Sequence, residues 1–330
     1  MIGQFEKIYI YCIAGIKSGG PELLHQLAFH LRKLGIECYM VYYGQKEEVS
    51  STHSEFLKYC PIEVKENEVL DDKANLVIVP ESSIFHLNKF KKIKKAIWWL
   101  SVDNYTEWAT PKGRYKAFGV LKVFTHPLLM LNARLTVKRA DFHLCQSYYS
   151  KVYIEHEQKV NFDKVFMLSD YINDNYLCEM CDCHKEDIVA FFPRKGYAIT
   201  KELIKEGKDI KWCPIQNMTG EEVKELLRRC KVYIDFGNFP GKDRIPREAA
   251  MCKCCIITGK YGASKFNEDL PISEKYKFEK PLDDIDAILK LIRECFKNYD
   301  LNMKDFAFFR KMISEEKEIF VEQVKKLFVE

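Results

Sequence analysis

The stretch at residues 235–259 reads DFGNFPGKDRIPREAAMCKCCIITG. In it, a charged loop joins the end of one apolar run to a short helix, and the helix is followed by a second apolar run. The charged residues between the first strand and the middle of the helix are Lys242, Asp243, Arg244, Arg247 and Glu248. Cations and amide N–H groups at such a strand-to-helix loop can bind an anion. Glu248 lies in the first turn of the predicted helix, where a carboxylate can accept hydrogen bonds from sugar hydroxyls. The alternative is that Glu248 only interacts with the helix dipole.

A second basic loop, FFPRKGY at residues 191–197, also follows an apolar strand and precedes a helix. Arg194 and Lys195 bring two cations to the positive end of that helix, which is a favourable environment for a diphosphate. A solvated basic turn is the alternative interpretation.

A third loop, AGIKSGGPE at residues 14–22, places Gly19 and Gly20 just before the first helix. Paired glycines allow a ligand to approach the backbone closely, although a tight turn without a ligand has the same signature. The loop lacks the GxGxxG fingerprint, and no acidic residue closes the second strand at MVYYG. A simple nicotinamide dehydrogenase is therefore disfavoured.

Two further segments carry polar residues of interest. In WWLSVDNYTEW, residues 98–108, Asp103 has aromatic neighbours suited to sugar stacking, and it either contacts a substrate or caps the following turn. The segment CEMCDCH contains Cys178, Cys181, Cys183 and His184. It has a metal-ligand spacing but lacks the second pair of ligands of a usual zinc module, so we expect no metal there.

The elements that position these loops alternate along the chain. Apolar runs predict strands at 7–15, 36–44, 75–81, 95–103, 122–127, 141–147 and 164–170, and again at 187–193, 210–216, 231–237 and 254–259. Amphipathic helices separate many of them, the first being PELLHQLAFHLRKLG at residues 21–35. Continuous apolar strands between helices are typical of parallel sheets buried on both faces. The sequence therefore predicts an α/β protein with two doubly wound Rossmann-like domains in series.

The predicted domains are an N-terminal Rossmann-like domain at 1–172, a linker at 173–186, a C-terminal Rossmann-like domain at 187–281 and C-terminal helices at 282–330 that pack across both. A chain of 330 residues is long enough for two such cores. The irregular polar stretch INDNYLCEMCDCHKED marks the linker.

Composition limits the partners and the location. The net charge of +4, from 52 basic and 48 acidic residues, is too balanced to indicate a nucleic-acid partner. No apolar run approaches the roughly 20 residues needed to span a bilayer. Thirteen cysteines, several of them inside apolar runs, fit reduced core thiols in the cytoplasm better than disulfides. The basic run KFKKIKKAIWW, with THPLLMLNARLTVKR, is compatible with peripheral contact at an anionic membrane, or else is a solvated face.

Most of the chain, roughly residues 7–278, resembles the GT-B glycosyltransferases, in particular the large retaining group that uses nucleotide-activated sugars, glycosyltransferase family 4. The motifs that carry the resemblance are FPRKG, TGEEVKELLRRCKVYIDFG, PREAAMCKCCIITG and the N-terminal GGPELLHQLAFHLRKLGIECYMV. The resemblance implies two Rossmann-like domains facing a cleft, with a nucleotide-sugar as donor and a saccharide or lipid-linked saccharide as acceptor. It also implies a role in surface polysaccharide synthesis at the inner face of the membrane, and retention of the anomeric configuration.

Carried onto this sequence, the resemblance implies that Arg194 and Lys195 contact the donor diphosphate and Glu248 the ribose, with Gly19 and Gly20 near the transferred sugar. The family usually has an earlier acidic residue in a Glu-x7-Glu pair, but Pro240 stands at that place. Asp243 is a candidate substitute, and Lys242, Arg244 and Arg247 are candidate donor ligands. We take Asp103, Lys195 and Glu248 as the candidate catalytic residues.

The implied mechanism is electrostatic, because departure of a diphosphate builds negative charge that fixed cations stabilise. No DxD motif accompanies these loops, so we expect neither a metal nor another cofactor. Two alternatives stay open: a nucleotide-sugar-binding protein without transfer activity, and a sugar-nucleotide epimerase. The epimerase requires positioned acid and base groups, and His25, His126 and His143 are too scattered in the sequence to favour it.

Overall fold

The computed structural model describes residues 2–45, 50–119, 127–177 and 184–330. The chain divides into two compact units, one formed by Met1–Asp170 with Glu318–Glu330 and the other by Tyr171–Lys317. The sequence analysis ended the first domain at residue 172 and the linker at residue 186, and the chain passes from the first unit to the second between Asp170 and Tyr171. The C-terminal helical region predicted at 282–330 is shared between the units.

The first unit contains a six-stranded parallel sheet in the order β2-β1-β3-β4-β5-β6. Its strands are β1 (Lys7–Ile13), β2 (Glu37–Tyr43), β3 (Leu76–Pro80), β4 (Lys94–Trp99), β5 (Phe142–Cys145) and β6 (Val165–Met167). The apolar runs become strands because their side chains are buried on both faces, and Trp98 and Trp99 are both fully buried. Residues 122–126 of the strand predicted at 122–127 lie outside the described residues, and Pro127 begins a helix.

The helices of the first unit are α1 (Gly19–Lys33), α2 (Val102–Ala109), α3 (Pro111–Phe118), α4 (Pro127–Arg139) and α5 (Tyr148–Val152), the last followed by a π-helical turn at Tyr153–Glu157. Short 3-10 helices lie at Ser54–Tyr59, Glu66–Glu68, Glu81–Lys89 and Phe162–Lys164. Ser101 caps α2 by accepting from the N–H of Asn104 at 3.2 Å, and Thr110 caps α3 ahead of Pro111.

The C-terminal residues complete the core of this first unit. The amide of Ile2 donates to the carbonyl of Leu327 at 3.1 Å, and the amide of Ser169 donates to Oε1 of Gln323 at 2.8 Å. Phe320 is fully buried and stacks near Trp98, with ring centroids 6.4 Å apart. The first unit is therefore built from two separate stretches of sequence.

The second unit contains a five-stranded parallel sheet in the order β11-β10-β9-β7-β8. Its strands are β7 (Glu186–Phe191), β8 (Lys211–Pro214), β9 (Cys230–Asp235), β10 (Cys255–Gly259) and β11 (Lys277–Phe278). Its helices are α6 (Tyr197–Glu206), α7 (Gly220–Arg229), α8 (Arg244–Met251), α9 (Ile285–Lys297), α10 (Tyr299–Asn302) and the start of α11 (Ala307–Phe328), with 3-10 turns at Asp174–Tyr176, Gly262–Lys265, Glu274–Tyr276 and Met303–Phe306. The predicted α/β class and doubly wound sheets are confirmed.

Candidate functional site

The strand order of the second unit locates its candidate site. Strands β7 and β9 lie next to each other in the sheet. The chain that leaves β7 leads to β8 on one side of this pair, and the chain that leaves β9 leads to β10 on the other side. Ligands of open α/β sheets bind outside the carboxyl ends of the strands at such a switch point. The loop after β7 carries Arg194 and Lys195, and the loop after β9 carries residues 236–243. Both predicted donor-binding loops therefore meet at the edge where a ligand is expected.

Two glycines bring these loops into contact. Gly196 has a φ of +60°, and a Cβ atom there would lie 2.3 Å from the carbonyl carbon of Phe236. A Cβ atom on Gly237 would lie 2.5 Å from Cβ of Lys195. Because real Cβ atoms do not come this close to other heavy atoms, both positions require glycine.

Adding a methyl group at either position should therefore be costly. We expect Gly196→Ala and Gly237→Ala each to lower the free energy of unfolding by at least about 2 kcal/mol, as backbone shifts of this kind do. Gly220→Ala is the matched control, since Gly220 begins α7 and has open space around it. Urea denaturation measures all three, and equal stability of Gly220→Ala and Gly237→Ala would contradict the close contact.

Lys195 is already paired within the site. Its Nζ lies 2.5 Å from Oδ2 of Asp243, and the two side chains are 32% and 17% exposed. Asp243 occupies the position that precedes α8, where a carboxylate interacts favourably with the helix N-terminus. The structure thus brings together Lys195 and Asp243, the residue proposed in place of the missing family carboxylate.

Asp235, at the end of β9, lies beneath this ion pair and was not singled out from the sequence. Its Oδ1 accepts from the amide of Gly237 at 2.9 Å, and its Oδ2 accepts from the hydroxyl of Tyr233 at 3.2 Å. Burial, together with the charge of Asp243, raises the pKa of Asp235 to about 6, while Lys195 acts in the opposite direction. An acidic residue that directly ends a buried strand, as in VYID, is the signal that could have identified it.

Because its pKa is raised, the ionised Asp235 carboxylate lowers the free energy of unfolding at neutral pH. The folded protein holds the Asp235 proton more tightly than the unfolded chain, so its contribution to stability falls as pH rises from about 4 to about 6. We expect Asp235→Asn to lose that part of the pH dependence of unfolding. Denaturation of both proteins at pH 4 to 7 measures the difference, and parallel curves would contradict the raised pKa.

A buried ion cluster fixes the start of α8. Arg247 is 1% exposed, and its Nη1 donates to Oε2 of Glu316 at 2.7 Å. Lys242 Nζ lies 2.9 Å from the other oxygen of Glu316, and Arg247 Nη2 donates to the Lys242 carbonyl at 3.0 Å. Glu316 therefore neutralises two cations that the sequence suggested as donor ligands. The burial and the shared ion pair suit Arg247 and Lys242 to holding the loop, and their role as donor ligands stays a prediction.

The other predicted residues of this unit differ in exposure. Arg194 is exposed beside Lys195, and Arg244 is half-buried at the first position of α8. Glu248 is half-buried. The pKa of the Tyr176 hydroxyl is raised first by the burial of Tyr176 and then by the negative charge of the nearby Glu248 carboxylate. Glu248 thus lies close to Tyr176, which is 7% exposed.

An open hollow adjoins the ion cluster. Its lining includes Phe239, Lys242, Asp243, Pro246, Ala263 and Leu270.

The first unit holds the remaining predicted residues. Gly19 and Gly20 are the first residues of α1, and a Cβ atom on Gly20 would meet Leu100 at an ordinary 3.6 Å. Gly20 is therefore not required by steric contact. Asp103 lies in the first turn of α2, and its Oδ1 accepts from the hydroxyl of Tyr149 at 3.3 Å.

Glu81, directly after β3, is a buried carboxyl group that the sequence analysis did not select. Its Oε2 accepts from the amide of Leu100, at the end of β4, at 2.9 Å. Burial raises the pKa of Glu81 to about 7. Hydrogen bonds from the backbone, including those of Leu100 and Ser101, lower the pKa but do not offset the effect of burial. Glu81 connects the carboxyl ends of two strands just ahead of α2, which carries Asp103.

The sequence offered one candidate metal site, the segment CEMCDCH at residues 178–184. No group of three His, Cys, Asp or Glu side chains arranged to hold a metal ion occurs among the described residues. Cys178, Cys181 and Cys183 lie outside them, so the interpretation of that segment stays a prediction. Cys252, Cys254 and Cys255 are buried, as expected for CKCC packing between a helix and the sheet.

Comparisons with solved structures identify the fold. A glycosyltransferase from Rickettsia africae aligns over 98% of both chains with a TM-score of 0.65 and 14% identity. HepE from Anabaena, in complex with UDP and glucose, covers 98% of this chain and 99% of its own, with a TM-score of 0.66 and 10% identity. This chain has the GT-B fold.

A third GT-B structure, sucrose-phosphate synthase from Thermosynechococcus elongatus, aligns over 98% of this chain and 95% of its own, with a TM-score of 0.61 and 12% identity. No protein-family model matches the sequence, and a search of curated proteins found no significant match. The resemblance stated from sequence motifs is thus confirmed for the GT-B fold.

Proposed function

We propose that this protein is a glycosyltransferase that moves a sugar from a nucleotide-sugar donor to a saccharide or lipid-linked saccharide. The observation that carries the proposal is the position of Lys195 and Asp243 at the switch point of the second sheet. A ligand there meets Lys195, the exposed Arg194 and the start of α8 together. The complexes of HepE with UDP and glucose, and with UDP-glucose, support this reading by similarity of fold.

In the proposed reaction the bond from the anomeric carbon to the diphosphate breaks, and the sugar joins an acceptor hydroxyl that loses its proton. Lys195 and Arg194 stabilise the charge that develops on the departing diphosphate. Lys195 leaves Asp243 to do so, and Asp243 is then placed to hold a hydroxyl of the donor. Glu248 accepts from the ribose, and Asp103 is the candidate contact on the acceptor side.

Further features of the proposal come from the family resemblance. The reaction proceeds with retention and needs no metal, since two cations at the diphosphate replace one. The product belongs to surface polysaccharide assembly, and the enzyme acts in the cytoplasm at the inner face of the membrane. No helix among the described residues has the length and apolar character to cross a bilayer.

Two observations favour a second candidate, a nucleotide-sugar-binding protein without transfer activity. Pro240 stands where the family has its first carboxylate, and Lys195 already has a carboxylate partner. Both candidates require nucleotide-sugar binding at the same loops, and they differ in turnover.

A donor screen separates the two. Uridine, guanosine, adenosine and cytidine diphosphate sugars are incubated with the protein, with and without a chelator, and released nucleoside diphosphate is measured. Slow hydrolysis of one donor, unaffected by the chelator, is the expected result. Tight binding without hydrolysis in the presence of saccharide acceptors would favour the binding protein, and loss of activity with the chelator would contradict metal independence.

A further inference from the structure

One stretch of the sequence of the first unit contains basic residues and no acidic ones. Residues 108–140 contain seven basic side chains, at Lys112, Arg114, Lys116, Lys122, Arg134, Lys138 and Arg139, and no aspartate or glutamate. The chain as a whole is balanced at 52 basic against 48 acidic residues. A segment without carboxylates carries a local positive field that the composition as a whole conceals.

Helix α4, within this stretch, exposes a row of leucines. Ala133, Thr136 and Val137 are buried and hold one face of the helix against its own unit. Leu128, Leu131 and Leu135 are 78%, 55% and 37% exposed. Their spacing of three and four residues places them along one side of the helix. Large apolar side chains grouped on a surface mark an interaction site more often than single exposed ones do.

Exposed cations accompany these leucines. Arg134, Lys138 and Arg139 are all exposed on the same helix. On α3, the preceding described helix of the chain, Lys112 and the 57% exposed Tyr115 have the same mixture of charge and apolar surface. Leucines that enter the acyl region while lysines and arginines meet phosphate head groups are typical of interfacial helices.

The other basic run, residues 89–99, is a weaker candidate. It forms the end of a 3-10 helix, a bend and β4, and its described residues include no exposed large apolar side chain. Lys89 pairs with Glu66 at 2.6 Å and Lys94 with Asp141 at 3.0 Å. The carboxylate of Asp71 accepts from the amides of residues 91–93. Neighbouring carboxylates therefore offset much of its charge.

We infer that the face of α4 formed by Leu128, Leu131 and Leu135, with Arg134, Lys138 and Arg139, docks on an anionic lipid bilayer. Charge complementarity decides the occupant, since the face joins cations with apolar side chains and α4 itself carries no carboxylate. This surface would account for the membrane location proposed above. The purpose of docking, access to a lipid-linked acceptor, rests on the proposed function. The binding itself needs no donor.

Vesicle flotation of the full chain tests the inference. We expect flotation with vesicles of phosphatidylcholine mixed with phosphatidylglycerol, and little with phosphatidylcholine alone. Arg134→Glu with Lys138→Glu should weaken binding roughly 30-fold or more, and added salt should mimic the loss. Leu128→Ser with Leu131→Ser should weaken it roughly tenfold or more. The controls are Lys91→Glu with Lys92→Glu for charge, and Leu301→Ser, which replaces a leucine that is 68% exposed in the other unit.

Several results would overturn the inference. These are flotation of the α4 variants equal to that of the wild-type chain, equal flotation with both vesicle types, or no flotation together with a dimer that the leucine variants dissociate. Circular dichroism checks that each variant is folded. Donor hydrolysis is measured without vesicles, so that failure of docking and failure of the proposed function are read separately.

Discussion

Lys195→Ala should reduce turnover of the donor by roughly 100-fold or more, with little change in the urea midpoint. A cation that stabilises the leaving group acts mainly in the transition state, and removal of one such group costs about 10² to 10³ in rate. Its stability effect is small because Lys195 is about one-third exposed and its pairing with Asp243 is screened by solvent. Glu248→Ala should also abolish most turnover, through loss of the ribose contact.

Steady-state release of nucleoside diphosphate measures both variants. Lys201→Ala is the matched control, because Lys201 lies exposed on α6, six residues beyond Lys195, and its substitution removes the same charge. The loss for Lys195→Ala is expected in kcat as well as in kcat/KM. Rates like those of the wild-type chain in both Lys195→Ala and Glu248→Ala would refute the site.

Glu316→Ala has the largest expected effect on stability. It leaves Arg247, which is 1% exposed, and the largely buried Lys242 without their shared carboxylate. Breaking a buried ion pair by removing one partner costs about 3–5 kcal/mol, since the remaining charge stays desolvated. The free energy of unfolding from urea titration measures the loss.

Two comparisons make this result specific. Glu315→Ala removes the preceding carboxylate, which is 49% exposed and 3.9 Å from Lys311, and should change stability by less than about 1 kcal/mol. Glu316→Leu combined with Arg247→Met should recover part of the loss, because the buried charge of Arg247 is removed as well and only Lys242 then lacks Glu316. If Glu316→Ala proved as stable as Glu315→Ala, the cluster would not hold α8.

Local patterns were sufficient to predict most of the elements. The run KVYIDFG predicts a strand because its apolar residues fit a sheet buried on both faces, and the strand runs from Cys230 to Asp235. The sequence TGEEVKELLRRC predicts a helix from its cap, and Thr219 does accept from the amide of Glu222 at 3.3 Å. Such signals lie within one element, so a single sequence contains them.

The site was predicted only in part, because its partners come from distant parts of the chain. Lys195 and Arg194 follow a strand and precede a helix, and that context was visible. Glu316 lies 69 residues beyond Arg247, in a helix whose sequence gives no sign that one of its carboxylates is buried. Arg247 was predicted as a donor ligand from its local sequence, which gives no sign of its buried ion pair with Glu316. The contact of Gly196 with the loop after β9 is likewise invisible to local patterns.

The division of the first unit into two stretches bears on synthesis at the ribosome. Phe320, which packs near Trp98, emerges only after all of Tyr171–Lys317 has been translated. Until then the nascent first unit lacks the residues that cover part of its core, and domains that wait in this way expose apolar surface to chaperones and to aggregation. A gene truncated after residue 317 should therefore yield a poorly soluble product, although every strand of both sheets would be present.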